Sequence, residues 1–305
     1  MTKDEIIAFC DQHFNEFADI SNVTEQQWHE LRQKGIGGSD VGAILGVSPY
    51  RSIIDVYTDK IATAPIITPQ SESMYWGTKL ETIIADTFTE KTGKPYFKPT
   101  KMYVHPVFKY MLANLDGVTV DDNGNPAILE IKTANEYVKE EWRDGHIPDT
   151  YYAQVQHYMC ITGLNMAYVV VLIGGQTFKI VPIERDTKYI NEMIQKEIAF
   201  WNNVVAKTMP QPDGTTATVN ALNKILTNSV PNTTAPMSYP EELLCQMYIN
   251  ADKRIKDAEL EKNECANLLK VMLDNNGVDE MNSSKFTVTW RTDKNGIKRF
   301  KIKST

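Results

Sequence analysis

Residues 127–134 read AILEIKTA, an apolar run of strand length in which a glutamate and a lysine flank one isoleucine. Successive side chains of a strand alternate faces, so Leu129 and Ile131 share one face while Glu130 and Lys132 share the other. The preceding run, ending in Asp116-Gly117-Val118-Thr119-Val120, alternates as well, and DDNGN (121–125) punctuates the two as a hairpin. A three-residue loop, Asp122-Asn123-Gly124, sets Asp116 across from Glu130 on one face. A two-residue Asn-Gly turn sets it against Ile131, on the wrong face. In the first register two carboxylates converge beside Lys132, and such a pair repels itself unless a cation lies between. Hard oxygen donors suit Mg²⁺ or Mn²⁺, which would polarise a phosphodiester and acidify water, with Lys132 orienting that water or stabilising developing charge. The competing reading of an isolated E-x-K is a solvent-facing ion pair on a half-exposed strand.

Outward from this strand, the 305 residues and 42% hydrophobic content suffice for a sizeable core. The first 35 residues read as helical, with Thr24 and Gln27 as a capping box. GIGGSDVGAILG (35–46) is a glycine-rich turn feeding a helix, with Ser39 and Asp40 as cap or first-turn residues. Residues 76–92 place Trp76, Leu80, Ile83, Ile84 and Phe88 at helical spacing up to Gly93, with Glu81 beside the stripe. Period two follows over 102–133, a helix over 148–162, a second hairpin about Gly174 and Gly175, and a long amphipathic helix over 186–208. That order predicts an α/β (α+β) domain at 1–208, a mixed sheet flanked by helices. A Pro/Thr/Asn-rich linker at 209–239 leads to an extension at 240–305, a long helix and a hairpin turning at Asn295-Gly296.

Composition bounds the function. There is no apolar run of membrane-spanning length and no basic-then-apolar leader, so a cytoplasmic protein is expected. The four cysteines, Cys10, Cys160, Cys245 and Cys265, form no C-x-x-C pair and read as reduced, mostly buried thiols. A net charge of −7 argues against indiscriminate nucleic-acid binding. Residues 285–305, however, set seven basic side chains against Asp293, so this tail is +6 and the rest −13.

A Glu-bearing helix, an Asp in a strand, E-x-K in the next strand and a helix carrying YYAQVQHYM together resemble the PD-(D/E)XK nuclease superfamily. The chain more specifically resembles the lambda-exonuclease family, in its branch of YqaJ-type viral recombinases. The likeness runs from about Trp28 to about Ile190 through WHELRQKGIGGSD, WGTKLE, LANLDG, LEIK, YYAQVQ and IERD. It implies a restriction-endonuclease-like core in which Asp116, Glu130 and the Ile131 carbonyl bind Mg²⁺, for which Mn²⁺ substitutes. Lys132 then serves the catalytic water, Glu81 supports the metal directly or through water, and Gln154 positions the nucleophile or the lysine. Gln156, two positions along the helix, points elsewhere. Arg32 and Ser39, with Arg51 as a second arginine, would hold a terminal 5′-phosphate, for which a helix N-terminus is also suited.

The implied activity is a 5′-to-3′ exonuclease on linear double-stranded DNA that leaves 3′ single-stranded overhangs for phage-type homologous recombination. The resemblance also implies a homotrimer, a single-strand annealing partner of the RecT or beta type, and a phage or prophage gene in a bacterial host. Two other readings are a restriction-like or structure-specific endonuclease, and a non-catalytic DNA-binding assembly protein on the same scaffold. In the extension, the long helix is expected to pack or self-associate. The basic hairpin, with Phe286, Trp290 and Phe300 interleaved, is expected to contact DNA or the annealing partner.

Overall fold

In the computed structural model, which describes residues 1–67 and 69–304, the alternating runs form strands and the 3.6-period runs form helices. The chain divides into two compact units, Met1–Ser229 and Val230–Thr305. The first unit begins with α1 (Lys3–His13), β1 (Glu16–Asp19), α2 (Glu25–Gln33), β2 (Ile36–Gly37), α3 (Gly38–Ile44) and α4 (Ile53–Ile61). It continues through α5 (Glu72–Thr92), β3 (Lys101–Val104), β4 (Met111–Ala113), β5 (Gly117–Val120) and β6 (Pro126–Ala134). A 3-10 segment (Glu136–Trp142), α6 (Asp149–Thr162), β7 (Met166–Ile173), β8 (Thr177–Glu184), α7 (Thr187–Ala206) and α8 (Thr216–Ile225) complete it.

Strand β6, the AILEIKTA segment, lies inside a mixed sheet of order β5-β6-β7-β8, antiparallel to β5 and parallel to β7. Ala127, Leu129 and Ile131 pack with Ile84 and Phe88 of α5 on one face. Ile128 belongs to the core on the opposite face, with Val118, Val155 and Val169. Gly117 pairs with Leu129 and Val120 with Pro126, and the Asp121 N–H donates to the Asn125 carbonyl at 2.7 Å. The loop between them is therefore Asp122-Asn123-Gly124, with Gly124 at φ +83°, as the left-handed corner of such a loop requires. Register here is governed by burial: a one-residue slip would turn Leu129 and Ile131 out of their core, at about 1.5–3 kcal/mol each.

A second sheet, order β1-β3-β4-β2, stands beside the first. Strand β1 departs from the helical expectation for the first 35 residues: Glu16 and Ala18 pair with Tyr103 and Met102 across a bulge. So short a strand has no local signal and exists because β3 offers it partners. Along α5, Ile84, Ala85 and Phe88 are buried, whereas Trp76 and Ile83 are 55% and 58% exposed. The apolar stripe expected there is thus narrower, because only the face toward β6 and β7 meets the sheet.

The second unit consists of α9 (Tyr239–Asn275), β9 (Glu280–Asn282), β10 (Phe286–Thr292) and β11 (Lys298–Ser304), with sheet order β11-β10-β9. Helix α9 packs on β10, and Leu273 and Val288 are buried there. Most of α9 faces solvent, which corrects the expectation for two of the thiols. Cys245 and Cys265 are exposed, while Cys10 and Cys160 are buried.

Candidate active site

The E-x-K strand, the residue before β5 and helix α6 converge on one cavity of about 170 Å³ in the first unit, several times the ~30 Å³ share of a water. Asp116, Glu130, Lys132 and Gln154 line it from one side, and Arg32 and Ser39 from another. Asp116 stands just before β5, and its Oδ2 accepts from the Ile131 N–H at 2.9 Å, which fixes the carboxyl against β6. Glu130 is 1% exposed. Its Oε1 accepts from Lys132 Nζ at 2.5 Å and from Gln154 Nε2 at 2.7 Å. Its Oε2 is buried and has no hydrogen-bond partner among the described residues.

The electrostatics follow from this burial. Removal from water, then the neighbouring Asp116 charge, push the Glu130 carboxyl up to about 8 against the pull of Lys132. Burial likewise raises Asp116, with Glu81 adding to the shift. Burial alone would lower Lys132, but Glu130 and Asp116 outweigh it and push the ammonium up to about 12. Two carboxyl groups that resist ionising beside a single lysine leave the cluster short of positive charge. With an unpartnered buried oxygen and a donor set made only of oxygen, these residues fit a hard divalent cation.

Among the described residues no three His, Cys, Asp or Glu side chains form a metal-binding group. Glu81, expected to support the metal directly or through water, lies outside the residues that line the cavity. From α5 it pairs with Lys98, and it reaches the site only through its charge, which raises both Asp116 and Glu130.

The other side of the cavity is built by GIGGSD. Gly37 caps α3, and its N–H donates to Asp40 Oδ2 at 3.1 Å, so the cap is Gly37 rather than Ser39. A Cβ on Gly38 would stand 2.5 Å from the Tyr158 ring, which explains the glycine by close approach to α6. Arg32 Nη2 donates to Ser39 Oγ at 2.5 Å, and the guanidinium lies 4.7 Å from the centre of the Trp28 ring. Behind them Asp40, 1% exposed, accepts from Lys60 at 2.7 Å and from Arg51 at 3.0 Å, and lies 3.8 Å from Arg32. Burial opposes its charge, but these three cations prevail and hold it well below the usual carboxylate range.

Arg51, expected as a second arginine for the terminal phosphate, is placed against two carboxylates. Its guanidinium is taken up by Asp40 and Asp59, and it is not part of the cavity wall. Gln156 is occupied with the backbone around Glu184–Asp186, as its position two residues from Gln154 suggested. Sequence reasoning missed Trp28, Asn114 and Tyr158, all in the wall. Each had a signal: Trp28 is four residues before Arg32, Tyr158 four after Gln154, and Asn114 two before Asp116. Lys60 had none, since it reaches Asp40 only through the packing of α4.

Residues 27–165 match a family model described as a YqaJ-like viral recombinase domain. The uncharacterized protein YqaJ of Bacillus subtilis (strain 168) is 34% identical over 256 residues, 83% of this chain and 79% of that protein. Among solved structures, an alkaline exonuclease (LHK-Exo) from Laribacter hongkongensis superposes with a TM-score of 0.52 at 22% identity, over 59% of this chain and 93% of its own. LHK-Exo in complex with dAMP gives 0.52 at 21% identity, over 66% and 97%. At such identities the likeness is one of fold.

Proposed function

The chain belongs to the YqaJ-like viral recombinase family, and on that premise we propose that it is a metal-dependent exonuclease that digests the 5′-ended strand of linear duplex DNA. One observation carries the proposal: the carboxylate pair with Lys132 and the Arg32–Ser39 pair line the same cavity. This juxtaposition supports a reading in which the carboxylate pair acts on a phosphodiester while Arg32 and Ser39 hold a terminal phosphate beside it.

Asp116, Glu130 and the Ile131 carbonyl would hold Mg²⁺, which when bound supplies a Lewis acid and a water of lowered pKa. Gln154 and Lys132 hold Glu130 from two sides. Burial opposes the Lys132 charge, but Glu130 and Asp116 favour it. Lys132 therefore acts by charge, stabilising the negative oxygens of the phosphate as it is attacked. Arg32, pressed between Trp28, Ser39 and Asp40, offers a guanidinium already oriented for phosphate. Anchoring the terminal phosphate makes cleavage depend on an end and gives the 5′-to-3′ direction.

The test compares three DNAs with Mg²⁺: linear duplex with 5′-phosphate, the same with 5′-hydroxyl, and a covalently closed circle. Rapid loss of the phosphorylated duplex, slower loss of the hydroxyl form and an intact circle are expected. A cut circle would replace this proposal with an endonuclease, and a preference for hydroxyl ends would remove the Arg32–Ser39 assignment. The homotrimer and the annealing-protein partner belong to the same proposal and are read by sedimentation and by co-purification with such a protein.

A further inference from the structure

We propose that the outer face of the three-stranded sheet in the second unit binds the phosphate backbone of DNA without reading or stacking its bases. The cross-strand pairs divide this sheet by charge. Thr287 faces Lys303, Thr289 faces Lys301 and Arg291 faces Arg299, and these six residues line one groove. On the alternate face Phe286, Val288 and Trp290 lie opposite Ser304, Ile302 and Phe300. Val288 is buried there, and Lys270 of α9 lies 5.4 Å from the Phe300 ring centre. The sequence interleaves basic and aromatic residues, but the pleat puts Arg291, Arg299, Lys301 and Lys303 on one face and the aromatics on the other, together with Lys298, 3.9 Å from the Trp290 ring centre. Aromatic stacking is thus excluded from the basic groove, and charge and hydroxyl donors remain.

The groove holds a surplus of positive charge. Arg291 is matched by Glu280 at 2.5 Å and Arg299 by Asp293 at 2.6 Å. Lys301 and Lys303 have no ion-pair partner among the described residues, and both are exposed on an edge strand. Two unpaired ammonium groups beside the Thr287 and Thr289 hydroxyls present donors, while the groove's carboxylates Glu280 and Asp293 are engaged by Arg291 and Arg299; such donors hold phosphate oxygens. On a chain of net charge −7, such a face gives DNA a local positive surface away from the acidic remainder. The choice of DNA as the polyanion rests on the nuclease reading above. A purely protective role for edge-strand lysines against strand pairing is the alternative that the experiment must separate.

The experiment measures binding of the full chain to a labelled linear duplex and to a single strand by anisotropy, in chelator so that nothing is cut, from 50 to 200 mM salt. The double variant K301Q/K303Q should flatten the dependence of log affinity on log salt by roughly 1.8 for duplex and 1.4 for single strand, two lost phosphate contacts in each case. Over that fourfold salt range the parent would then lose roughly tenfold more duplex affinity than the variant. K301R/K303R should keep the parent slope. K253Q/K262Q, with the same charge change on α9, should keep it too.

An unchanged slope in K301Q/K303Q overturns the proposal and leaves the face to a protein partner. An equal change in K253Q/K262Q overturns it in favour of bulk charge. Self-association of K301Q/K303Q without a slope change overturns it in favour of edge protection. Asp116→Asn separates this inference from the nuclease reading, since it should abolish cutting without altering the salt slope contributed by the groove. A chain that never cuts DNA but shows the Lys301/Lys303 slope change would sink only the nuclease.

Discussion

Lys132 keeps its proton because Glu130 and Asp116 outweigh the cost of its burial, so removing its charge removes electrostatic stabilisation together with the hydrogen bond to Glu130 Oε1. Lys132→Met is expected to lower kcat by roughly 10²- to 10³-fold, the range for loss of one aligned donor at a developing oxyanion. A rate within threefold of the parent would show that the lysine has no part in the chemistry. Glu130 makes a second prediction, in pH. Without a divalent ion the folded protein keeps this proton up to about pH 8, whereas the ordinary carboxyl loses it near 4.5. The native state binds more protons across that window, so its stability falls as pH rises through it. A cation relieves this, and Mg²⁺ should raise Tm more at pH 8 than at pH 5. An equal shift at both would contradict the assignment, and Glu130→Gln should abolish the difference. His157 contributes a decline of the same sign. Its ring nitrogens face Glu197 at 2.9 Å and the Leu112 carbonyl at 3.1 Å, and Glu197 outweighs burial to raise it above 6.5. Its contribution is full below 6.5 and is lost as pH rises through its folded value, so the Glu130→Gln protein is the necessary reference.

At the scale of elements, the hairpin β5–β6 decides whether the carboxylates meet. Deleting Asn123 shortens the Asp122-Asn123-Gly124 loop to two residues. Burial of Leu129 and Ile131 holds β6 in place, so the shift falls on β5, which turns Asp116 away from Glu130. Nuclease activity should disappear while far-UV circular dichroism stays close to the parent, and an active deletion variant would break the link between register and site. Glycine-rich GIGGSD is the second decisive element. Gly38→Ala presses a methyl against the Tyr158 ring, with an expected loss of about 1–3 kcal/mol. Because Tyr158 OH accepts from Gln154 Nε2 at 3.2 Å, activity should fall with stability. A denaturant midpoint equal to the parent's would show that α6 yields easily. The E-x-K face, the loop length that the site needs and the helix carrying Gln154 were legible in the sequence, since periods of 2 and 3.6 are local. The Asp40–Lys60–Arg51 network was not, because it joins α3 to α4 through side chains with no fixed spacing.

Across the whole molecule, every residue of the proposed site lies in Met1–Ser229 and the basic groove lies in Val230–Thr305. A chain ending at Ser229 should therefore retain end-dependent cutting at low salt, bind DNA more weakly than the full chain and show a flatter dependence of log affinity on log salt. Identical salt profiles would deny the second unit any part in DNA capture. Among the described residues no helix is long and apolar enough to cross a membrane. The sequence by itself determined the periods of the elements, the pairing of Glu130 with Lys132 on one strand face and the charge contrast between tail and body, because each depends on neighbours a few residues apart. Tertiary structure alone decided that Arg32 shares a cavity with Glu130, that Arg51 and Glu81 are paired elsewhere, and that the aromatic residues of the last hairpin face away from Lys301 and Lys303. Those outcomes depend on which surfaces are buried against which, and burial is a property of the packed chain rather than of any stretch of it.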